Sequence, residues 1–254
     1  MIRQIIRTLV IITLFSTVVS AQNTSSGFLE KDTAGTLTFI DNFYIEITGG
    51  SQMLFSADAE NLEFKDRLTP HISISFGKWF SPVFGGGIKA EGFSLNGFST
   101  TEGEYTATGV NSPPFDQDPV RKEVTINPDG TYRHFIRYAD LSLNGYINLT
   151  NLLLGYYEGA ILDMVVSGGI GNMHVFKFKG IPSKSSLSAN AGLTLSFHLS
   201  PKWYLNLNGS ATAFENDFEG RIAGTNDFEN YVTANIGLVY YFRGRKFLNR
   251  NTEK

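Results

Sequence analysis

The sequence predicts an all-β fold, an eight-stranded antiparallel transmembrane β-barrel of the outer-membrane type, from three observations. The first is the stretch Leu187 to Phe214. Leu187, Ala189, Ala191, Leu193, Leu195, Phe197 and Leu199 alternate with Ser188, Asn190, Gly192, Thr194, Ser196 and His198. Ser200-Pro201 turns the chain, and Trp203, Leu205, Leu207, Gly209, Ala211 and Ala213 then alternate with Tyr204, Asn206, Asn208, Ser210 and Thr212. A period of two sustained this long makes two strands, each with one apolar and one polar face. The second observation is an export segment at the start of the chain. The third is the rhythm of the connections between alternating segments: long, short, very long, medium, medium, short, long. Outer-membrane barrels have short periplasmic turns and longer external loops.

Residues 1–21 read as a signal peptide. Met1 to Arg7 is basic, Thr8 to Val19 is apolar, and Val19-Ser20-Ala21 offers small residues for cleavage before Gln22. The rival is an uncleaved membrane helix, for which the apolar run is short. Residues 22–41 are a polar periplasmic lead-in, residues 42–242 the barrel, and residues 243–254 a mostly basic tail.

The first strand starts near Asn42, with Phe43, Ile45 and Ile47 opposed to Tyr44, Glu46 and Thr48. Ala57 to Leu68 is a charged loop. The second strand runs from about Thr69 to Trp79, and Phe80-Ser81-Pro82 turns it into a third, Val83 to Gly97. Phe98 to Thr131 is the longest irregular stretch and carries Pro113-Pro114, Asp118-Pro119 and Asn127-Pro128-Asp129-Gly130. A loop that long is uncommon without a use for it. The fourth strand spans about Tyr132 to Leu149. The connection Thr150 to Gly159 holds Leu152-Leu153-Leu154 and Tyr156-Tyr157, and is longer than a periplasmic turn should be. A fifth strand covers Ala160 to Val175, and Phe176 to Ser186 is a basic loop. The sixth and seventh strands are the opening pair. Glu215 to Asn230 is an acidic loop, and the eighth strand is Tyr231 to Phe242. A soluble sandwich would show the same alternation. Strands of a dozen or more residues favour the membrane, which a tilted strand crosses in ~9–11 residues. Closure pairs every backbone group, as hydrocarbon requires.

A net charge of -3 gives no reason to expect nucleic acid as a partner. With Cys 0, disulfides, thiol nucleophiles and cysteine-ligated metals are excluded. His71, His134, His174 and His198 never pair at metal-ligand spacing, so no metal or other cofactor is expected. No spacing picks out a Ser/His/Asp set, so an enzyme is not expected.

From Asn42 onward the chain resembles the OmpA-like outer-membrane barrels of the Bacteroidetes group. The residues that carry the resemblance are Phe64 to Pro70 (FKDRLTP), Gly77 to Pro82 (GKWFSP), Asn148 to Leu153 (NLTNLL) with Gly155-Tyr156, Phe197 to Ser200 (FHLS), Asn216 to Gly220 (NDFEG) and Gly237 to Phe242 (GLVYYF). The resemblance implies an eight-stranded barrel with a small, plugged interior. Many OmpA-type proteins continue into a peptidoglycan-binding domain; only residues 243–254 follow the last strand, so none is expected here.

Glu46, Lys89, Glu91, Asp140 and Asp163 fall on inward faces. They are expected to form one salt-bridge network filling a lumen just wide enough for side chains; the rivals are an ion path or paired catalytic carboxylates. Trp79, Phe80, Trp203, Tyr204, Tyr240 and Phe242 lie near strand ends and are expected to form the periplasmic-side aromatic girdle. Arg243, Arg245, Lys246 and Arg250 are expected to be solvated, with contact to anionic envelope polymers as the alternative. The expected function is non-enzymatic: a monomer anchored by outer-membrane lipid, with a structural or surface role. The alternatives are an adhesin or receptor, its external ligand bound through Phe98 to Thr131 and the acidic loop, a small pore, or a soluble exported β-protein.

Overall fold

The computed structural model describes residues 39–56, 59–99, 128, 131–177, 181–216 and 228–247. The signal peptide, most of the lead-in and most of the Phe98–Thr131 and Glu215–Asn230 loops lie outside the described residues, as does Arg250.

Among the described residues the strands are β1 Phe43–Phe55, β2 Leu68–Trp79, β3 Phe84–Ser99, β4 Tyr132–Asn148, β5 Leu162–Val175, β6 Lys184–His198, β7 Trp203–Glu215 and β8 Phe228–Tyr241. Each pairs antiparallel with the next, and β1 pairs with β8, so the eight strands form a closed barrel. Closure runs from Tyr44↔Tyr241 to Phe55↔Asn230. A closed barrel leaves no sheet edge, since every strand finds both of its neighbours.

The period-two pattern sorts side chains as expected, with the apolar set outside. Ile47, Ile72, Leu141, Leu143, Leu187 and Ile236 are exposed, whereas Thr48, Ser73, Asp140, Ser142, Ser188 and Thr233 are buried. A belt this apolar around a lumen lined at mid-height by polar residues is the reverse of a soluble sandwich.

Several boundaries differ from the sequence reading. At their outer ends β3, β6 and β8 extend beyond the alternation: to Ser99, back to Lys184 and back to Phe228. The added residues Phe98-Ser99, Lys184 to Ser186 and Phe228 to Asn230 are mixed in character, so no period marks them in the sequence. On β3 the alternation slips at Phe93, whose φ of 145 lies in a region L residues rarely adopt. Glu91 points inward, Phe93 outward, and both Ser94 and Leu95 are then buried. Short helices also fall inside connections read as loops: α1 Phe64–Arg67, and α2 Leu149–Leu154 in the long fourth connection. Asn148 caps α2, its side chain accepting from Asn151 N at 2.9 Å. Gly155, with φ 83, ends it.

Candidate functional site

The lumen has three levels. Its outer level is apolar: Leu54, Leu95, Ile136, Met173, Val175 and Phe214 pack with Tyr138 and Tyr231. Gln52 lies under this cluster. Its Nε2 donates to Pro70 O and Ser94 O, each at 3.0 Å, and its Oε1 accepts from Tyr138 OH.

The middle level is lined by small polar residues that bond across strands. Thr48 and Ser73 hydroxyls meet at 2.7 Å, Ser210 and Thr233 at 2.7 Å, and Asn208 Nδ2 donates to Thr194 at 2.8 Å. One charged cluster sits here. Lys89 and Glu91 are two apart on β3, hence on one face, and their side chains pair at 2.8 Å. Tyr231 OH donates to Glu91 at 3.0 Å, and His71 Nε2 lies 3.4 Å from the same carboxylate. Asp140 stands directly across from Glu91 in the β3–β4 register. Like charges facing each other across strands repel, and Lys89 offsets that repulsion. Glu46 is held separately by Asn206, which donates to it at 2.7 Å.

The inner level is aromatic. Tyr44, Trp79, Tyr204 and Tyr241 are buried together, with Tyr146 and Phe247 against them. Gly77 makes room: a Cβ there would sit 2.5 Å from the Tyr44 hydroxyl. Into this cluster comes Arg245. The chain turns back after β8 at Gly244, whose φ is 81. Asn42 clamps the returning segment, donating to Lys246 O at 3.0 Å and accepting from Lys246 N at 2.7 Å. The Arg245 guanidinium meets Asp163 at 2.5 Å, donates to Pro82 O at 3.1 Å and lies 4.4 Å over the Trp79 ring. His198 shares the same Asp163 oxygen at 3.1 Å and stacks on Tyr204 at 4.1 Å. Burial works against the Arg245 charge, but Tyr241 and Asp163 more than offset it, and its pKa is raised.

Three expectations are corrected by this geometry. The five interior charges do not make one network. Glu46, Lys89, Glu91 and Asp140 share the middle level, but Asp163 begins β5 at the inner mouth and pairs with Arg245. Of the six girdle residues, Phe80, Trp203 and Phe242 are exposed and Tyr240 lies on the outer face, its ring 4.7 Å from that of Trp203. Trp79 and Tyr204 instead face the lumen, because their strand parity is that of Ser75 and Asn206. The tail is not wholly solvated: Arg245 is only 7% exposed. Sequence reasoning missed this residue because it lies beyond the last alternating segment, where no period assigns a face.

Among the described residues no group of His, Asp and Glu is arranged to hold a metal. His174 bonds Ser185 at 2.8 Å and Ser183 at 3.2 Å.

No family model matches the chain. Outer membrane protein 40 of Porphyromonas gingivalis is 26% identical over 208 residues, covering 79% of this chain and 47% of the relative. The chain therefore spans about half the length of the curated relative it matches. Among solved structures, Neisserial surface protein A aligns over 79% of this chain and 97% of its own at 8% identity, TM-score 0.44. The N-terminal β-barrel domain of Pseudomonas aeruginosa OprF aligns over 80% and 98% at 11% identity, TM-score 0.43.

This chain is an outer-membrane β-barrel: its wall is closed, its belt is apolar, and its sequence relative is an outer membrane protein. One consequence is a depth-dependent cost for charge on the belt. Leu143, 65% exposed on the outer face of β4, faces hydrocarbon. Leu143→Arg is expected to lower the unfolding free energy by about 2–4 kcal/mol in urea titrations of vesicle-inserted protein. An unchanged midpoint would place Leu143 outside the lipid.

Proposed function

We propose that the protein is a non-enzymatic barrel of the OmpA-like type with a structural and surface role, its lumen closed to free flow. The observation that carries this reading is the pair of stoppers. Tyr231 and Phe214 are fully buried at the outer level, and Trp79, Tyr241 and Arg245 are buried at the inner one. The middle level between them is polar, and the stoppers on either side support the reading of a closed lumen. Lipid is the partner of the belt, the barrel acts as a monomer, and the external loops, Phe98 to Thr131 foremost, are the surface available to an external ligand.

Two measurements test this. Planar-bilayer recordings of the unmodified chain are expected to show no conductance steps; regular steps would replace the closed lumen with a small pore. Deleting residues 100–130 is expected to leave the SDS-resistant, heat-sensitive migration of the barrel unchanged while removing binding to external surfaces. Full binding without the loop would discard the loop as the contact surface.

A further inference from the structure

The fourth connection is longer than a periplasmic turn needs to be. From Leu149 to Ile161 it reads LTNLLLGYYEGAI, with Glu158 as its single charge. α1, at the opposite rim, carries Lys65, Asp66 and Arg67 in a single turn. A connection bathed only in water has no reason to collect leucines.

The structure shows how those leucines are presented. The polar side chains of α2 bond to the barrel. Asn151 Nδ2 donates to Pro82 O at 2.9 Å, and Thr150 Oγ1 accepts from Met164 N at 2.8 Å. With the helix fastened from that side, Leu152, Leu153 and Leu154 are left 53%, 77% and 82% exposed. Tyr157 and Ile161 follow them, also exposed. An exposed patch this apolar marks an interaction surface. Its occupant is set by continuity. Ile161 leads directly into Leu162 and Met164, which are exposed on the outer face of β5 within the apolar belt. The patch is thus an extension of the surface that lipid already covers.

We propose that α2 and Tyr157 form a wedge seated in the acyl layer of the periplasmic leaflet of the outer membrane, with the exposed Glu158 at its headgroup edge. The barrel then has a second lipid contact besides its belt, a short interfacial helix held rigidly to one side of the rim. Lys78 marks the same interface on the wall: its Nζ reaches Phe39 O at 2.6 Å and lies 4.8 Å over the Phe43 ring, a charged head at the edge of an apolar face.

The chain has no cysteine, so a single introduced one labels a single site. Leu153→Cys, carrying a nitroxide, is placed in the full chain in vesicles of phosphatidylethanolamine and phosphatidylglycerol. Its collision rates with oxygen and with a water-soluble nickel chelate are compared with those at Leu143→Cys in the belt and Lys202→Cys in the exposed β6–β7 turn. The expected result is an oxygen-favoured ratio in the range of Leu143 and well above Lys202. A nickel-favoured ratio matching Lys202 would overturn the wedge, leaving the leucines as a surface for a periplasmic protein. Dipolar broadening between labels on two chains would overturn it in favour of a second copy. Tyr157→Cys supplies the same reading if the Leu153 variant does not fold.

Discussion

Replacing Arg245 with alanine is expected to destabilise the folded barrel by about 3–5 kcal/mol, because it leaves one partner of a buried ion pair alone. Asp163 has a side chain only 1% exposed and would retain His198 beside it. The same change removes the donor to Pro82 O and the cation over Trp79, so the β2–β3 turn and the inner aromatic cluster loosen together. The measurement is the urea midpoint of vesicle-inserted protein, with the SDS-gel heat shift as a second readout. Two further variants separate charge from shape. Asp163→Asn on top of Arg245→Ala is expected to recover part of the loss, since no bare carboxylate remains. Arg245→Lys is expected to keep the charge but lose the two-pronged contact and the stacking, and so to fall between wild type and alanine. A midpoint unmoved by Arg245→Ala would mean that water replaces the guanidinium and hydrates Asp163.

Lys89→Met is expected to have a comparable effect at the middle level, again about 3–5 kcal/mol. Lys89 supplies the cation of the cluster described there, and Glu91 and Asp140 face each other across the β3–β4 register. Methionine keeps much of the length of the side chain and removes its charge. Glu91 then depends on the Tyr231 hydroxyl at 3.0 Å and on His71 at 3.4 Å. Lys89→Met with Glu91→Gln is expected to be milder than Lys89→Met alone, because the pair is then removed and not broken. If the single variant unfolded at the wild-type midpoint, the cluster would be hydrated filler and not a structural pair.

How much of this could be read from the chain depends on where alternation held. On β6 and β7 the residues from Leu187 to His198, and from Trp203 to Ala213, go to the faces their parity assigns, because one face meets hydrocarbon and the other the lumen. The same rule, applied strictly, sends Trp79 and Tyr204 inward. Grouping aromatics by their nearness to strand ends hid it. Parity also placed Glu46, Lys89, Glu91, Asp140 and Asp163 inside, but it says nothing of height along the barrel axis. Height follows from the strand register, which sets Glu91 against Asp140 and leaves Asp163 near the inner mouth.

The number of strands, their antiparallel order and the face of nearly every strand residue are all legible in the chain alone. They are local consequences of a two-residue period and of turn chemistry, and they need no partner to be read. Barrel closure was needed to settle which interior charges meet, that Arg245 returns to stop the inner mouth, and that a run of leucines becomes a helix fastened by Asn151 to Pro82. Each of these joins residues far apart in the chain, and no period in the sequence encodes a contact of that kind.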